Sequence, residues 1–156
     1  MRILGKGIVA KSILELKQYK YTKTYDDNDV DIYDISSDEL TLVSPGIPPS
    51  NYLVKNTKNL ISEYDLLLNP NQYSVWISGT NGKTSTTSML GKVLKNNDSV
   101  IGGNIGIPLA QMDTSKKIWI LETSSFALHY NKISKPNIYV LLAIKDDHIS
   151  WHGSLG

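Results

Sequence analysis

The 156-residue sequence contains no cysteine, a single phenylalanine and only three histidines. Without cysteine there is no disulfide and no thiolate metal site, and a cytoplasmic setting fits that absence. No apolar run approaches the length of a membrane span, and the opening Met1-Arg2-Ile3-Leu4-Gly5 is too short for the core of a signal peptide. Sixteen basic residues stand against fifteen acidic ones, a formal net charge of +1. Neither sign dominates, so neither nucleic acid nor a membrane surface is expected as a partner. Repeats and low-complexity tracts are missing too. What remains, 40% hydrophobic and 20% charged residues, is ordinary globular composition, enough for one domain or two small ones.

The most informative stretch runs from Val75 to Ser85. A short apolar β-type run, Val75-Trp76-Ile77-Ser78, empties into Gly79-Thr80-Asn81-Gly82-Lys83-Thr84-Ser85, and a helix-compatible segment follows. That is the layout of a phosphate-binding loop. Backbone N–H groups and a helix N-terminus surround an anion, the lysine adds a point charge, and the Thr84 hydroxyl can reach a magnesium ion. The usual spelling puts four residues between the glycines, whereas here only Thr80 and Asn81 intervene.

Strands alternate with helical segments along the chain, which predicts right-handed βαβ units and parallel sheets. A strand over Arg2–Leu4 leads through Gly5-Lys6-Gly7 into a helix from about Ile8 to Tyr19, with Ile8, Ile13 and Leu16 near one face. Short β-type runs follow at Tyr21–Tyr25, Val30–Tyr33 and Leu40–Val43, with Asp26–Asp29 as an acidic turn. Asn69-Pro70-Asn71 is the expected boundary between residues 1–70, a small Rossmann-like domain, and residues 71–156, part of a phosphate-loop parallel-sheet domain. The second part predicts a strand over Tyr73–Ser78 and a helix from Lys83 to Leu94. Further strands are expected near Val100, over Ile118–Leu121 and within Asn137–Ile144.

Other residues carry chemistry that stays open at this level. Gly5-x-Gly7-x-x-Ala10 fits either close strand–helix packing or a diphosphate site at the N–H groups of Ile8 and Val9, with Asp26 as a loose ribose-binding acid. Glu122 ends an apolar strand, where parallel sheets open their ligand crevice, and suits magnesium beside the phosphates held by Lys83 and Thr84. Asp146-Asp147-His148-Ile149-Ser150-Trp151-His152-Gly153 could ligate a metal, position an acyl phosphate or simply decorate a loop. Gly102-Gly103-Asn104-Ile105-Gly106 is either a flexible turn or a close backbone approach to a ligand, with Asn104 as its directional group. No role is assigned to His129.

Taken together, the nucleotide loop, Ser44-Pro45-Gly46-Ile47-Pro48, Gly103-Asn104-Ile105-Gly106-Ile107-Pro108, Glu122-Thr123-Ser124-Ser125-Phe126 and Asp147 to Gly153 resemble the Mur ligase family. Their order is most similar to the members that add D-glutamate to UDP-N-acetylmuramoyl-L-alanine. The resemblance implies a peptidoglycan-precursor ligase with ATP and Mg²⁺ as cofactors and those two compounds as substrates. It implies that Gly79, Thr80, Asn81, Gly82, Lys83, Thr84 and Ser85 bind ATP. Gly7, Ile8, Val9, Gly46, Asn104 and Ser124 would bind the UDP-sugar. Thr84, Glu122 and His148 would hold metal, and Lys83 and His148 would be catalytic. Relatives in the same family, folylpolyglutamate-type ligases and a non-catalytic nucleotide-binding module are the alternatives. Ala127, Ala143 and Ser150 stand where the family commonly has Gln, Asn and Asp. The family continues into a further domain, so the chain is expected to be an N-terminal fragment, inactive by itself, with an open sheet edge in its second half.

Overall fold

The computed structural model describes residues 1–152. Its first sheet is built from short strands: β1 (Arg2–Leu4), β2 (Lys23–Tyr25), β3 (Thr41–Val43) and β4 (Leu60–Ile61). Strands β1 and β3 are buried throughout. All four are parallel, in the order β2-β1-β3-β4. The chain leaves β1 toward β2 on one side and returns to β3 on the other. The strand order therefore reverses beside β1, where the loops after β1 and β3 diverge and leave a crevice.

Helix α1 (Ile8–Leu14) buries Ala10 and Ile13 against Ile3 and Leu42. It is shorter than the sequence predicts. Leu16 is extended, and Lys17–Tyr19 forms a separate 3₁₀ turn. Ile8 is also not on the buried face: it is 73% exposed. The expected strand at Val30–Tyr33 is instead mostly a 3₁₀ helix, Asp27–Ile32. Asp26 accepts from the Asn28 amide at 3.0 Å while Asp29 accepts from the Asp26 amide at 2.8 Å. That reciprocal cap outweighs the β propensity of Val30 and Ile32. Two short helices escape the sequence reading. Helix α2 (Tyr52–Lys55) is capped by Asn51, and α3 (Glu63–Leu67) by Ser62, whose hydroxyl accepts from the Asp65 amide.

The second sheet contains β5 (Tyr73–Ser78), β6 (Ser99–Gly103), β7 (Ile118–Glu122) and β8 (Ile138–Leu141). It is parallel, in the order β6-β7-β5-β8. Helix α4 (Lys83–Val93) covers one face, where Leu90 packs on Val75, Ile77 and Ile120. The alternate residues Trp76 and Leu121 face the other way, onto Tyr64, Leu109, Met112 and Ala127. Alternation with period two thus gives β5 two different buried faces. Helix α5 (Ser125–Tyr130) follows β7, and α6 (Ile149–His152) closes the described chain. Strand β8 is an edge, and Ile138, Tyr139 and Leu141 are each about half exposed.

Helix α3 fastens the two sheets together. The Tyr64 ring meets Trp76 edge-on at 4.7 Å, and its hydroxyl lies 3.1 Å from that of Thr123. The Asp65 carboxylate accepts the amides of Lys132, Ile133 and Ser134 at 2.7 to 2.9 Å. These donors hold its pKa below the usual value although partial burial opposes them. Tyr130 returns a hydrogen bond to the Ile47 carbonyl at 2.6 Å. Asp65→Ala leaves three amides without their acceptor, and is expected to cost about 1–3 kcal/mol in a urea melt. A loss below about 0.5 kcal/mol would show that water replaces the carboxylate without penalty.

Candidate functional site

The carboxyl ends of β5, β6 and β7 bring the distant motifs to one edge. Ile77, Glu122 and Gly103 are in register across the three strands. Residues just beyond that line therefore meet although they are far apart in sequence. The Thr84 hydroxyl donates to Glu122 Oε2 at 2.8 Å, and Asn104 Nδ2 donates to Glu122 Oε1 at 3.0 Å. Glu122 itself is only 2% exposed. A buried carboxylate is tolerated when donors meet both oxygens, which is what these two side chains do.

Two glycines make this approach possible. Gly103 has φ +96° and passes so near β7 that a Cβ would lie 2.5 Å from the Glu122 carbonyl oxygen. Gly79 has φ +137°, and a Cβ there would meet Leu142 at 2.8 Å. Both positions combine positive φ with crowding, so both need glycine.

Across the nucleotide loop, Lys83 Nζ folds back onto the carbonyls of Gly79 and Thr80 at 2.6 and 3.1 Å. The Thr80 amide and hydroxyl bond to Ala143 and Lys145, tying the loop to the segment after β8. Asn81 and Ser85 are exposed, and Gly82 forms the left-handed entry to α4.

A cavity of about 820 Å³ opens beside this loop, lined by Gly79, Thr80, Lys83, Asn104, Ser124 and His148 among others. His148 lies 3.5 Å from Asp147 and packs edge-on against Phe126 at 4.8 Å. Phe126 stacks on Trp151 at 4.4 Å, and Ser125 bonds His152 at 3.0 Å, so the acidic–histidine segment is folded against α5. Gly153, the last member of that motif, lies outside the described residues. His129 edges onto Trp151, and burial, with a smaller effect of His152, lowers its pKa. Among the described residues no group of three or more His, Cys, Asp or Glu side chains is arranged to hold a metal. Thr84 and Glu122 meet directly, but His148 forms no such cluster with Glu122.

A second cavity, about 670 Å³, lies in the crevice of the first sheet. Gly7, Ile8, Val9 and Gly46 line it from one side, Asn104 and Ser124 from the other. Its position explains why Ile8 is turned away from the core. Asp26 is not free there, since Lys6 bridges it and Asp29 at 3.1 and 2.6 Å. The two cavities share Asn104, Ser124 and Phe126.

The sequence reading missed Glu63, which lines the second cavity while being only 7% exposed. The spacing Ser62-x-x-Asp65, a helix-start signal, was available to place Glu63 in a first turn.

These features can be set beside known proteins. The model of the Mur ligase middle domain matches residues 77–156, slightly more than half of the chain. The chain belongs to the Mur ligase family. A UDP-N-acetylmuramoylalanine--D-glutamate ligase of Campylobacter jejuni is 53% identical over 122 residues, covering 78% of this chain and 30% of the relative. One of Helicobacter pylori is 47% identical over 122 residues, covering 73% of this chain and 28% of the relative. The chain thus spans about 30% of the length of these curated members of the Mur ligase family. In the UDP-N-acetylmuramate:L-alanyl-gamma-D-glutamyl-meso-diaminopimelate ligase of Neisseria meningitides, the fold matches with a TM-score of 0.52 at 19% identity. That match covers 99% of this chain and 63% of the other. Mur ligases are ATP-dependent ligases, and the α/β class with two parallel sheets agrees with that membership. No helix among the described residues is long and apolar enough to cross a membrane.

Burial pushes the Glu63 carboxyl up from 4.5 to about 7. The folded chain therefore holds this proton more tightly than the unfolded chain does. Its contribution to stability is complete below about pH 4.5 and is lost as pH rises toward about 7. Lys6 and Tyr64, the neighbouring titratable groups on the cavity wall, both have raised pKa values, so neither titrates in that window. Glu63→Gln should remove this component. In urea melts the variant's advantage over the parent should grow by about 1–3 kcal/mol between pH 4.5 and 8. A constant difference across that range would contradict the assignment.

Proposed function

We propose that this chain is the UDP-sugar-binding and part of the ATP-binding region of a ligase joining D-glutamate to UDP-N-acetylmuramoyl-L-alanine. On this reading residues 1–70 and 71–156 are separate domains, and the setting is the cytoplasm. The observation that carries it is the meeting of the two cavities at Asn104, Ser124 and Phe126. A ligand held at the glycine turn by its diphosphate could extend past Asn104 and Ser124 and present its far carboxylate beside the nucleotide loop.

The reaction would begin with attack of that carboxylate on the terminal phosphoryl group of ATP, forming an acyl phosphate and ADP. The D-glutamate amine would then attack the acyl carbon and expel phosphate. The amides of Gly79 to Ser85 would cradle the ATP phosphates. Lys83 would leave the Gly79 and Thr80 carbonyls for phosphate oxygens, exchanging neutral acceptors for charged ones. Placed there, it would neutralise charge on the transferring group.

Magnesium fits the residues present. Glu122 offers a buried carboxylate oxygen 2.8 Å from the Thr84 hydroxyl, an all-oxygen pair of the kind this ion takes alongside phosphate and water. When bound, the ion would supply further neutralisation of the phosphate charge. Asn104 would keep the carboxylate aimed by holding its second oxygen. His148, on the wall of the same cavity, would be a further residue to help hold metal there.

Two binding measurements test this. Calorimetric titration should give saturable binding of UDP-N-acetylmuramoyl-L-alanine, weaker for UDP alone. Lys83→Ala should weaken Mg·ATP at least about tenfold, the loss of one charge-assisted contact, and leave UDP-sugar affinity unchanged. A folded chain that binds Mg·ATP but no UDP-sugar would instead be a nucleotide-binding module.

A further inference from the structure

Residues 62–65 of the cap and first turn of α3 have tasks that the structure displays, with one exception. Ser62 caps the helix, Tyr64 bonds Thr123 inside the core, and Asp65 holds the amides of 132–134. Glu63 sits among them, only 7% exposed as a residue, with no hydrogen-bond partner for its carboxyl among the described residues and with carboxyl oxygens that are not sealed from solvent. A largely buried carboxyl that no protein group meets is costly, and one on a cavity wall is open to a partner from the ligand. It lines the second cavity between the glycine turn and Asn104.

We infer that Glu63 is a ligand-binding residue of the second cavity, hydrogen-bonding a neutral amide or hydroxyl group of the sugar portion of the bound molecule. The inference rests on the proposed function, because it takes the ligand to be a UDP-linked amino sugar. The chemistry of the wall selects a neutral group. Lys6, the cation among the lining residues, is already engaged by Asp26 and Asp29, so a second anion would face Glu63 uncompensated. An amide offers a carbonyl to the acid's O–H and an N–H to its C=O, so both halves of a protonated carboxyl are met at once. Burial, which favours the protonated form, agrees with that pairing. Ile8, Val9 and Ile47 give the same cavity an apolar wall, against which a hydrogen bond counts for more once a ligand has displaced the water.

The test uses UDP-N-acetylmuramoyl-L-alanine as the probe, with calorimetry and thermal melting on the unmodified chain, Glu63→Gln and Glu63→Leu. Glutamine keeps a donor and an acceptor, and its Kd should stay within about threefold of the parent. Leucine removes both and should weaken binding about tenfold, while the melting temperature holds or rises because no polar group is left buried. A leucine variant with the parent's Kd, or with a lowered melting temperature and unchanged Kd, makes Glu63 structural and overturns the inference. Carbon-13 NMR of the glutamate carboxyls in the unmodified chain gives an independent reading, with Glu63 assigned by its absence from the glutamine variant. Its resonance should move on saturation with the probe, and a fixed resonance overturns the inference even if the leucine variant does not fold. Absence of any probe binding by the unmodified chain would overturn the proposed function and this inference together. Loss confined to the Glu63 readouts would overturn the inference alone.

Discussion

The buried carboxylate of Glu122 is the point on which the rest of the site depends. It ends β7, takes the hydroxyl of Thr84 from the nucleotide loop and takes the amide of Asn104 from the loop after β6. Three sequence-distant segments are thereby fixed to one pair of oxygens. The arrangement is possible because parallel strands put their carboxyl ends on one edge, and because Gly103 lets its backbone pass beside Glu122. A carboxylate held this way is oriented before any ligand arrives. Preorganisation of this kind lowers the ordering cost of filling a site.

The second constraint is the seam between the sheets. Tyr64 reaches into the core of the second sheet, Asp65 grips the loop after α5, and Tyr130 reaches back to Ile47. Ile47 and Asn104 end up on the wall of the same cavity although they belong to different sheets. The cavity of the glycine turn and that of the nucleotide loop then share the wall formed by Asn104, Ser124 and Phe126. A ligand contacting both must be long, with an anionic end at the glycine turn and a reactive end near Lys83, and the proposed UDP-sugar has that shape.

Much of the fold, and the gathering of the loop after β5 with Glu122, was legible in the sequence, for identifiable reasons. The phosphate-type loop is a local feature, glycines acting through their backbone and a lysine side chain at fixed spacing from them, so spacing alone locates it. Glu122 was legible because a carboxylate that ends an apolar strand of a parallel sheet is delivered to the ligand crevice. Failures came where local propensity met a competing contact. Val30 and Ile32 read as a strand, yet the reciprocal cap between Asp26 and Asp29 wound them into a 3₁₀ helix. Ile8 read as core because helical periodicity cannot distinguish packing on a sheet from facing a cavity. Helices α2 and α3 are too short to show periodicity, and their stability comes from caps and tertiary contacts. Glu63 was missed with them, since an acid in a first turn ordinarily marks a solvated helix start.

The central claim is that one ligand spans both cavities through Asn104 and Ser124. Amide NMR of the ¹⁵N-labelled chain, titrated with UDP-N-acetylmuramoyl-L-alanine, tests it most directly. The account predicts that resonances of Gly7, Ile8 and Gly46 and those of Asn104, Ser124 and Gly79 shift together, with a single Kd. Shifts limited to the glycine turn, or two sets of shifts with different Kd values, would contradict it.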